Sequence, residues 1–378
     1  MEKIPSFNQL IQDSIVKNWD RDALTDYKGA TLQYHDVARK IEKLHIMFES
    51  SGVEKGDKIA LCGRNSAAWA AAFLAVLTYG AIAVPILHEF TPDQIHNIVN
   101  HSDAKLLFVG DVVATQVDPE KMPGLEGIIY IPDYSLVISR TEKLTYAREH
   151  LNEMFGRKYP KYFRKEHVSY YIEQSPDELA LINYTSGTTG FSKGVMLPYR
   201  AMWSNADFAE HVLGKAIAPG DNIISILPMA HMYGMAFEFL FEFIKGCHVF
   251  YLTRIPSPAI IAAAFADVKP RVIISVPLII EKIIKKKVFP KLQDPRMRLL
   301  LKMPGLNKRI FERINEQVSK AFGGNFYEII IGGAAFSQEV EQFLHRIGFR
   351  YTVGYGATEC APIIGYEDWS RFVPGSCG

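Results

Sequence analysis

The chain has 378 residues, 48% hydrophobic and 22% charged, a balance that suits two or three packed lobes and excludes a disordered chain. Lys and Arg number 42 and Asp and Glu 41, for a formal net charge of +1; nucleic-acid binding, which needs a basic excess on one face, is not expected. Cys62, Cys247, Cys360 and Cys377 form no CxxC pair, so neither a disulfide nor a metal framework is expected, and a reducing cytoplasmic setting is the default.

Met1 to Pro5 lead into no apolar segment, so no signal peptide is expected. The β-branched run Lys58–Cys62 reads as a strand. From Asn65 to Leu87 there is no formal charge, and by length alone that stretch could span a bilayer. Ser66, Thr78, Gly80 and Pro85 interrupt it, and the favoured reading is a buried helix Ala67–Tyr79, a stop at Gly80 and a strand Ala81–Val84. Further strands are expected at Lys105–Val109, Gly127–Ile131, Leu179–Asn183, Asn222–Leu227, His248–Leu252, Arg271–Val276, Tyr327–Ile331 and Tyr351–Val353. Helices are expected at Thr91–Ser102, Pro198–Leu213, Pro277–Val288, Asn307–Phe322 and Ser337–Ile347, the last with Ser337 as its N-cap.

Strands and helices alternate, so the class is α/β with largely parallel sheets flanked by helices. Ten strands are many for one sheet, and two packed lobes are expected, about 1–175 and 176–365, with the boundary within Tyr134–Pro176. The basic runs Arg157–Lys165 and Lys282–Lys287 read as solvated surface, with contact to anionic lipid or a coenzyme phosphate as the weaker reading.

Leu179–Asn183 runs into a loop, Tyr184 to Gly194, that carries Gly187, Gly190 and Gly194, the hydroxyls of Thr185, Ser186, Thr188, Thr189 and Ser192, and the cation Lys193. The glycines permit close backbone approach. Successive N–H groups can form an anion-binding concavity, and Lys193 adds a point charge. This composition suits a polyphosphate. It is not a Walker A loop, because Ser192 precedes Lys193 and Gly194 follows it. The competing reading is an ordinary polar surface loop.

Here the chain resembles the adenylate-forming superfamily of acyl-CoA synthetases, luciferases and peptide-synthetase adenylation domains. The loop resembles that family's phosphate-binding signature, with Ser192 in the position where the family usually has Pro. Pro228 to Gly234, which contains His231, resembles the second signature. Ile331-Gly332-Gly333-Ala334-Ala335 resembles the turn that packs on adenine. Tyr355-Gly356-Ala357-Thr358-Glu359 matches the YGxTE motif, and Pro374-Gly375-Ser376 and Asp57–Pro85 resemble flanking motifs. Within the superfamily, the segment from Pro277 to Ile284, the basic stretch after it and Gly333 to Ser337 look most like long-chain fatty acyl-CoA synthetases.

The resemblance implies an AMP-binding N-terminal domain of layered α/β type over residues 1–378. Residues 366–378 would begin a barrel lobe that is mostly missing. It implies ATP and Mg²⁺ as cofactors, a fatty acid as substrate, and coenzyme A as co-substrate. The acid would be activated as its acyl-adenylate and then passed to the thiol. The implied nucleotide-binding set is Thr185, Ser186, Gly187, Thr188, Thr189, Gly190, Lys193, Gly333, Ala334, Ala335, Tyr355, Gly356, Ala357 and Thr358. Thr185 and Glu359 would hold the metal, and His231, Lys193, Thr358 and Glu359 would act in the reaction. His231 would orient the carboxylate or gate the acyl pocket; a general base is not needed, because a carboxylate is already ionised at neutral pH. Tyr233, Met235, Phe237, Phe239, Phe241 and Phe243 read mainly as core, with an apolar tunnel as the second possibility.

The family continues beyond Gly378 with an Asp for the ribose, a hinge, and a mobile domain carrying a Lys. Without them this polypeptide is expected to bind ATP weakly and to adenylate slowly or not at all. A carrier protein as the acceptor, and a non-catalytic nucleotide- or acyl-binding module, are the alternatives. At most peripheral membrane contact is expected, and the oligomeric state stays open.

Overall fold

A computed structural model describes residues 5–185, 192–253, 257–301, 303 and 306–378. Its strands are β1 (Asp22–Asp26), β2 (Thr31–Gln33), β3 (Lys58–Cys62), β4 (Ile82–Ile86), β5 (Ala104–Val109), β6 (Gly127–Tyr130), β7 (Leu136–Ser139), β8 (Leu179–Thr185) and β9 (Lys193–Pro198). There follow β10 (Asn222–Ser225), β11 (His248–Tyr251), β12 (Ile273–Ser275), β13 (Ile329–Ile331), β14 (Tyr351–Val353), β15 (Tyr355–Gly356) and β16 (Ile363–Gly365).

A seven-stranded sheet has the order β7-β6-β5-β3-β4-β8-β9. Its interior strands run parallel, and β7 and β9 are antiparallel edges. A second sheet, β10-β11-β1-β2, is parallel except at β2. A third, β12-β13-β14, is wholly parallel. The Arg271 N–H donates to the Asn222 carbonyl at 2.8 Å and so ties the third sheet to the second. The short ribbon β15-β16 closes the set. The fold is thus the expected α/β class with parallel-rich sheets flanked by helices. The sheets cross the approximate division at residue 175: β8 and β9 complete the first sheet, and β1 and β2 complete the second.

Helix Ala67–Tyr79 forms with the expected bounds. The Ser66 hydroxyl caps it by accepting from the Trp69 N–H at 3.1 Å, and Gly80, at φ +86°, ends it. Its residues are apolar on every face, so it lies inside the largest core instead of on a surface. Among the described residues no helix is long and apolar enough to cross a membrane.

Three local expectations are corrected. The strand from Asn222 stops at Ser225, because the N–H groups of Ile226 and Leu227 donate to the Glu238 carboxylate at 3.1 and 2.9 Å and not to a neighbouring strand. The helix from Pro277 is α only to Ile283 and π-helical from Ile284 to Val288. Ser337 occupies the N-cap of helix Gln338–Arg346, but its hydroxyl makes no capping bond; its N–H donates to Glu281 at 2.9 Å.

Helix Phe241–Lys245 buries Glu242, and burial pushes its carboxyl up to about 8. Between the ordinary carboxylate range and about 8 the folded state keeps a proton that the unfolded chain releases, so this group's contribution to stability falls as pH rises. Glu242→Gln carries no charge at any pH. Its stability relative to the parent should therefore grow by about 1.4 kcal/mol per pH unit across that window and level off above it. Urea denaturation from pH 5 to 9 checks this; parallel profiles for the two proteins would refute it.

Candidate nucleotide and acyl site

The segment expected to bind phosphate joins the antiparallel strands β8 and β9. β8 and β9 pair from Leu179 and Pro198 to Thr185 and Lys193, which face one another at the end of that pairing. Ser186, Gly187, Thr188, Thr189 and Gly190 lie outside the described residues. Lys193 is exposed, and among the described residues it forms no ion pair. Gly194 is required by packing: a Cβ there would come within 2.8 Å of Ile182 and 3.1 Å of the Tyr184 ring. Tyr184 in turn bonds His101 at 2.7 Å, anchoring the hairpin to helix Pro92–His101.

The segment leading to His231 is held by buried polar side chains. Asn65 Nδ2 donates to the Leu227 carbonyl at 2.6 Å and to Ser225 Oγ at 3.1 Å, while its Oδ1 accepts from the Met229 N–H at 2.9 Å. Asn183, on β8, donates to the Ala230 carbonyl at 2.8 Å. Glu238 accepts from Ser225, Ile226 and Leu227, and burial raises its pKa well above the carboxylate range despite those donors. One loop is thereby fastened to two sheets. His231 sits at its end as the N-cap of helix Met232–Met235, with Nδ1 accepting from the Tyr233 N–H at 3.2 Å. Nδ1 is therefore unprotonated, and desolvation by the surrounding protein lowers the ring's pKa. His231 as a residue is nevertheless exposed, and Nε2–H is the donor left for a ligand.

The carboxyl ends of the third sheet supply the other wall. β13 runs into Gly332, whose Cβ position lies 3.1 Å from the Tyr233 ring and 3.2 Å from the Gly354 carbonyl. Any larger side chain would push Tyr233 off the Ile330 carbonyl, to which its hydroxyl donates at 3.0 Å. Gly333, at φ +82°, takes a left-handed turn, and Gly333, Ala334 and Ala335 are exposed. β14 leads to Tyr355, 56% exposed with its ring free to meet a ligand. The turn Thr358–Cys360 presents Glu359 to solvent. It is braced from below: Asn205 accepts from the Ile363 N–H at 3.2 Å and donates to the Cys360 carbonyl at 3.4 Å. Strand β9, which begins at Lys193, packs against this turn.

Thr185 and Lys193 thus face one another at the end of the β8–β9 hairpin, and β9 packs against the turn that carries Thr358 and Glu359. Gly332–Ala335 and Tyr355–Gly356 follow the carboxyl ends of neighbouring parallel strands, where open α/β sheets bind ligands. His231 is linked to that wall through Tyr233. Tyr233, Met235, Phe237, Phe239, Phe241 and Phe243 are all buried. Tyr233 and Phe237 line a narrow apolar slot, whereas Phe239 and Phe243 pack into the main core. A larger cleft, about 700 Å³ and lined by Asp26, Arg64 and Ile260 among others, lies between the first two sheets and is lined by none of the expected site residues.

Asn65, Asn183, Asn205 and Glu238 were not among the expected site residues. The sequence does hold a signal for two of them: Asn183 and Glu238 interrupt otherwise apolar runs, and a polar group in such a place needs a partner.

A family model described as AMP-binding enzyme matches residues 11–378. Long chain acyl-CoA synthetase 3 of Arabidopsis thaliana is 24% identical over 350 residues, covering 86% of this chain and 51% of that protein. Long-chain-fatty-acid–CoA ligase 1 of Schizosaccharomyces pombe is 25% identical over 371 residues, covering 91% and 53%. The chain thus spans about half the length of the curated relatives it matches. Among solved structures, the anthranilate CoA ligase AuaEII in complex with anthranoyl-AMP superposes with a TM-score of 0.76 at 17% identity, covering 100% of this chain and 64% of that one. The inhibitor-bound N-terminal domain of FACL13 from Mycobacterium tuberculosis gives 0.69 at 17% identity, covering 94% and 77%. At such identities these structures speak to the fold.

Proposed function

Since the chain belongs to the AMP-binding enzyme family, we propose that it carries the nucleotide and acyl sites of an ATP-dependent acid–thiol ligase that activates a fatty acid as its acyl-adenylate for transfer to coenzyme A. The observation that carries this reading is the convergence of the β8–β9 hairpin with the Thr358–Cys360 turn. Strand β9, whose first residue is the exposed Lys193, meets the turn that carries the exposed Glu359, neither ion-paired among the described residues, and the exposed Tyr355 lies three residues before that turn. Relatives named as long-chain fatty acid–CoA ligases support the choice of acid and acceptor.

The chemistry asks for positive charge and alignment, because one anion attacks another. Lys193 offsets phosphate charge as the carboxylate approaches. Tyr355 stacks on the base, and the Gly332–Gly333 turn lets backbone approach it closely. Thr358 donates to the phosphate whose phosphorus is attacked. The His231 Nε2–H orients the incoming carboxylate. Among the described residues no three His, Cys, Asp or Glu gather into a metal cage. The donor set is a hydroxyl, Thr185, and a carboxylate, Glu359, which suits Mg²⁺, an ion content with one or two protein oxygens and phosphate oxygens for the rest. When bound, Mg²⁺ would neutralise phosphate charge there.

Calorimetric titration with Mg·ATP tests the assignment. Lys193→Ala and Glu359→Gln should each weaken binding about 10- to 100-fold, the worth of a charge-assisted contact, and the Glu359→Gln loss should vanish when Mg²⁺ is omitted. Fatty-acid-dependent exchange of pyrophosphate into ATP tests the reaction. Equal affinity in all three proteins would overturn the site.

A further inference from the structure

The cleft of about 700 Å³ between the first two sheets has the volume of a small-molecule site. It is lined by residues that directly follow parallel strands. Arg64 comes after β3, Gly110 after β5 and Ile131 after β6; on the other side, Tyr27 comes after β1 and Leu252 after β11. In the first sheet the chain leaves β3 towards β4 on one side and leaves β5 towards β6 on the other, so the connections diverge between β3 and β5. Open α/β sheets bind ligands outside the carboxyl ends of their strands at such a switch point. Gly63 and Gly110 let the two strand ends meet there. A Cβ on Gly63 would come within 3.2 Å of the Gly110 backbone, and one on Gly110 within 3.0 Å of Gly63.

The charges that line the cleft are unevenly satisfied. The Asp26 carboxylate accepts from the Ala67 N–H at 2.8 Å, so it already occupies the electropositive start of helix Ala67–Tyr79. Lys28 and Asp111 are exposed, where water and salt screen them. Arg64 is half-buried, yet among the described residues its guanidinium makes no hydrogen bond and no ion pair. Taking a charge out of water without a partner is costly, and the planar fork of a guanidinium matches the two oxygens of a carboxylate or phosphate. Apolar lining comes from both sides: Ile131 and Pro132 follow β6, and Leu252 and Ile260 follow β11.

We propose that this cleft is a second ligand site, which takes an organic oxyanion, a carboxylate or a phosphate monoester, with its charge on Arg64 and its apolar body between Ile131 and Ile260. The site is separate from the activation site and does not depend on the function proposed above. Strands β3 and β8 end at the same edge of the first sheet with β4 between them, two strand spacings or roughly 10 Å apart.

The probes are decanoate and decyl phosphate, each titrated calorimetrically below its micellar concentration into the parent chain, Arg64→Gln and Ala263→Trp. Ala263 lines the cleft and is exposed, so an indole there takes up ligand space without entering the core. Arg64→Gln should weaken binding about 10- to 100-fold, the worth of a charge-assisted contact. Ala263→Trp should weaken it about ten-fold, a loss of the size that pocket contacts carry. If one variant does not fold, the other decides. The tighter-binding probe tells whether the site prefers a carboxylate or a phosphate ester, and binding should persist in the presence of a saturating, hydrolysis-resistant fatty acyl-adenylate mimic. Unchanged affinity in a folded variant, no binding of either probe to the parent chain, or displacement of the probe by the adenylate mimic overturns the second site.

Discussion

Asn65→Ala should lower the unfolding free energy by about 2–6 kcal/mol, since it strands two buried backbone groups at about 1–3 kcal/mol each. The groups are the Leu227 carbonyl and the Met229 N–H, both bonded to the Asn65 amide at 2.6 and 2.9 Å. Asn65 itself is buried and stands between β3 and the cap of helix Ala67–Tyr79. The side chain thus ties a strand end of the first sheet to the loop that delivers His231. Urea denaturation should show a lower midpoint with an unchanged slope. The variant should also bind a hydrolysis-resistant fatty acyl-adenylate mimic more weakly, because the loop has lost one of its ties. A change in stability within about 0.5 kcal/mol, the range of an ordinary surface substitution, would refute the tie.

Gly356→Ala should have the opposite profile, with a large effect on ligand binding and a small one on the fold. A Cβ at Gly356 would collide with the Pro362 carbonyl, which is backbone and cannot step aside as a side chain can. The same carbonyl accepts from the Ala357 N–H at 2.8 Å, so the collision falls on the ribbon β15-β16 that carries Tyr355 and leads to Thr358 and Glu359. The ribbon is exposed or half-buried along its length, and overpacking there should cost about 1–3 kcal/mol. Misplacing a stacking ring worth about 1–3 kcal/mol should weaken Mg·ATP binding about 10- to 100-fold. Paired calorimetry and thermal denaturation check both halves; unchanged nucleotide affinity would show that the ribbon does not carry the base.

Much of the fold was legible because its strands are buried on both faces. Lys58–Cys62 and Tyr351–Val353 formed with the expected bounds, as did helix Ala67–Tyr79 with its Gly80 stop. Strands β1 and β2 were not anticipated: they are short and partly exposed, and β1 takes its other partner from β11, far along the chain. The early end of β10 was equally hidden, because what stops it is a carboxylate on a later helix.

The candidate site divides along the same line. Lys193, His231, Tyr355, Thr358 and Glu359 announce themselves, because phosphate, base and metal chemistry demand particular residue types in short, ordered strings. Their supports do not, because Asn65, Asn183, Asn205 and Glu238 act on backbone groups remote from them in sequence.

Local pattern therefore carried the α/β class and named the candidates for phosphate, base and metal contact. Which strands share a sheet was decided by long-range hydrogen bonding, as when β1 pairs with β11 across more than half the chain. The size of the narrow apolar slot was decided the same way: Phe208, Phe237, Ile330 and Tyr366 lie far apart in the chain. Only packing determines how much space such residues leave between them, since volume is a property of neighbours and not of any one stretch of chain.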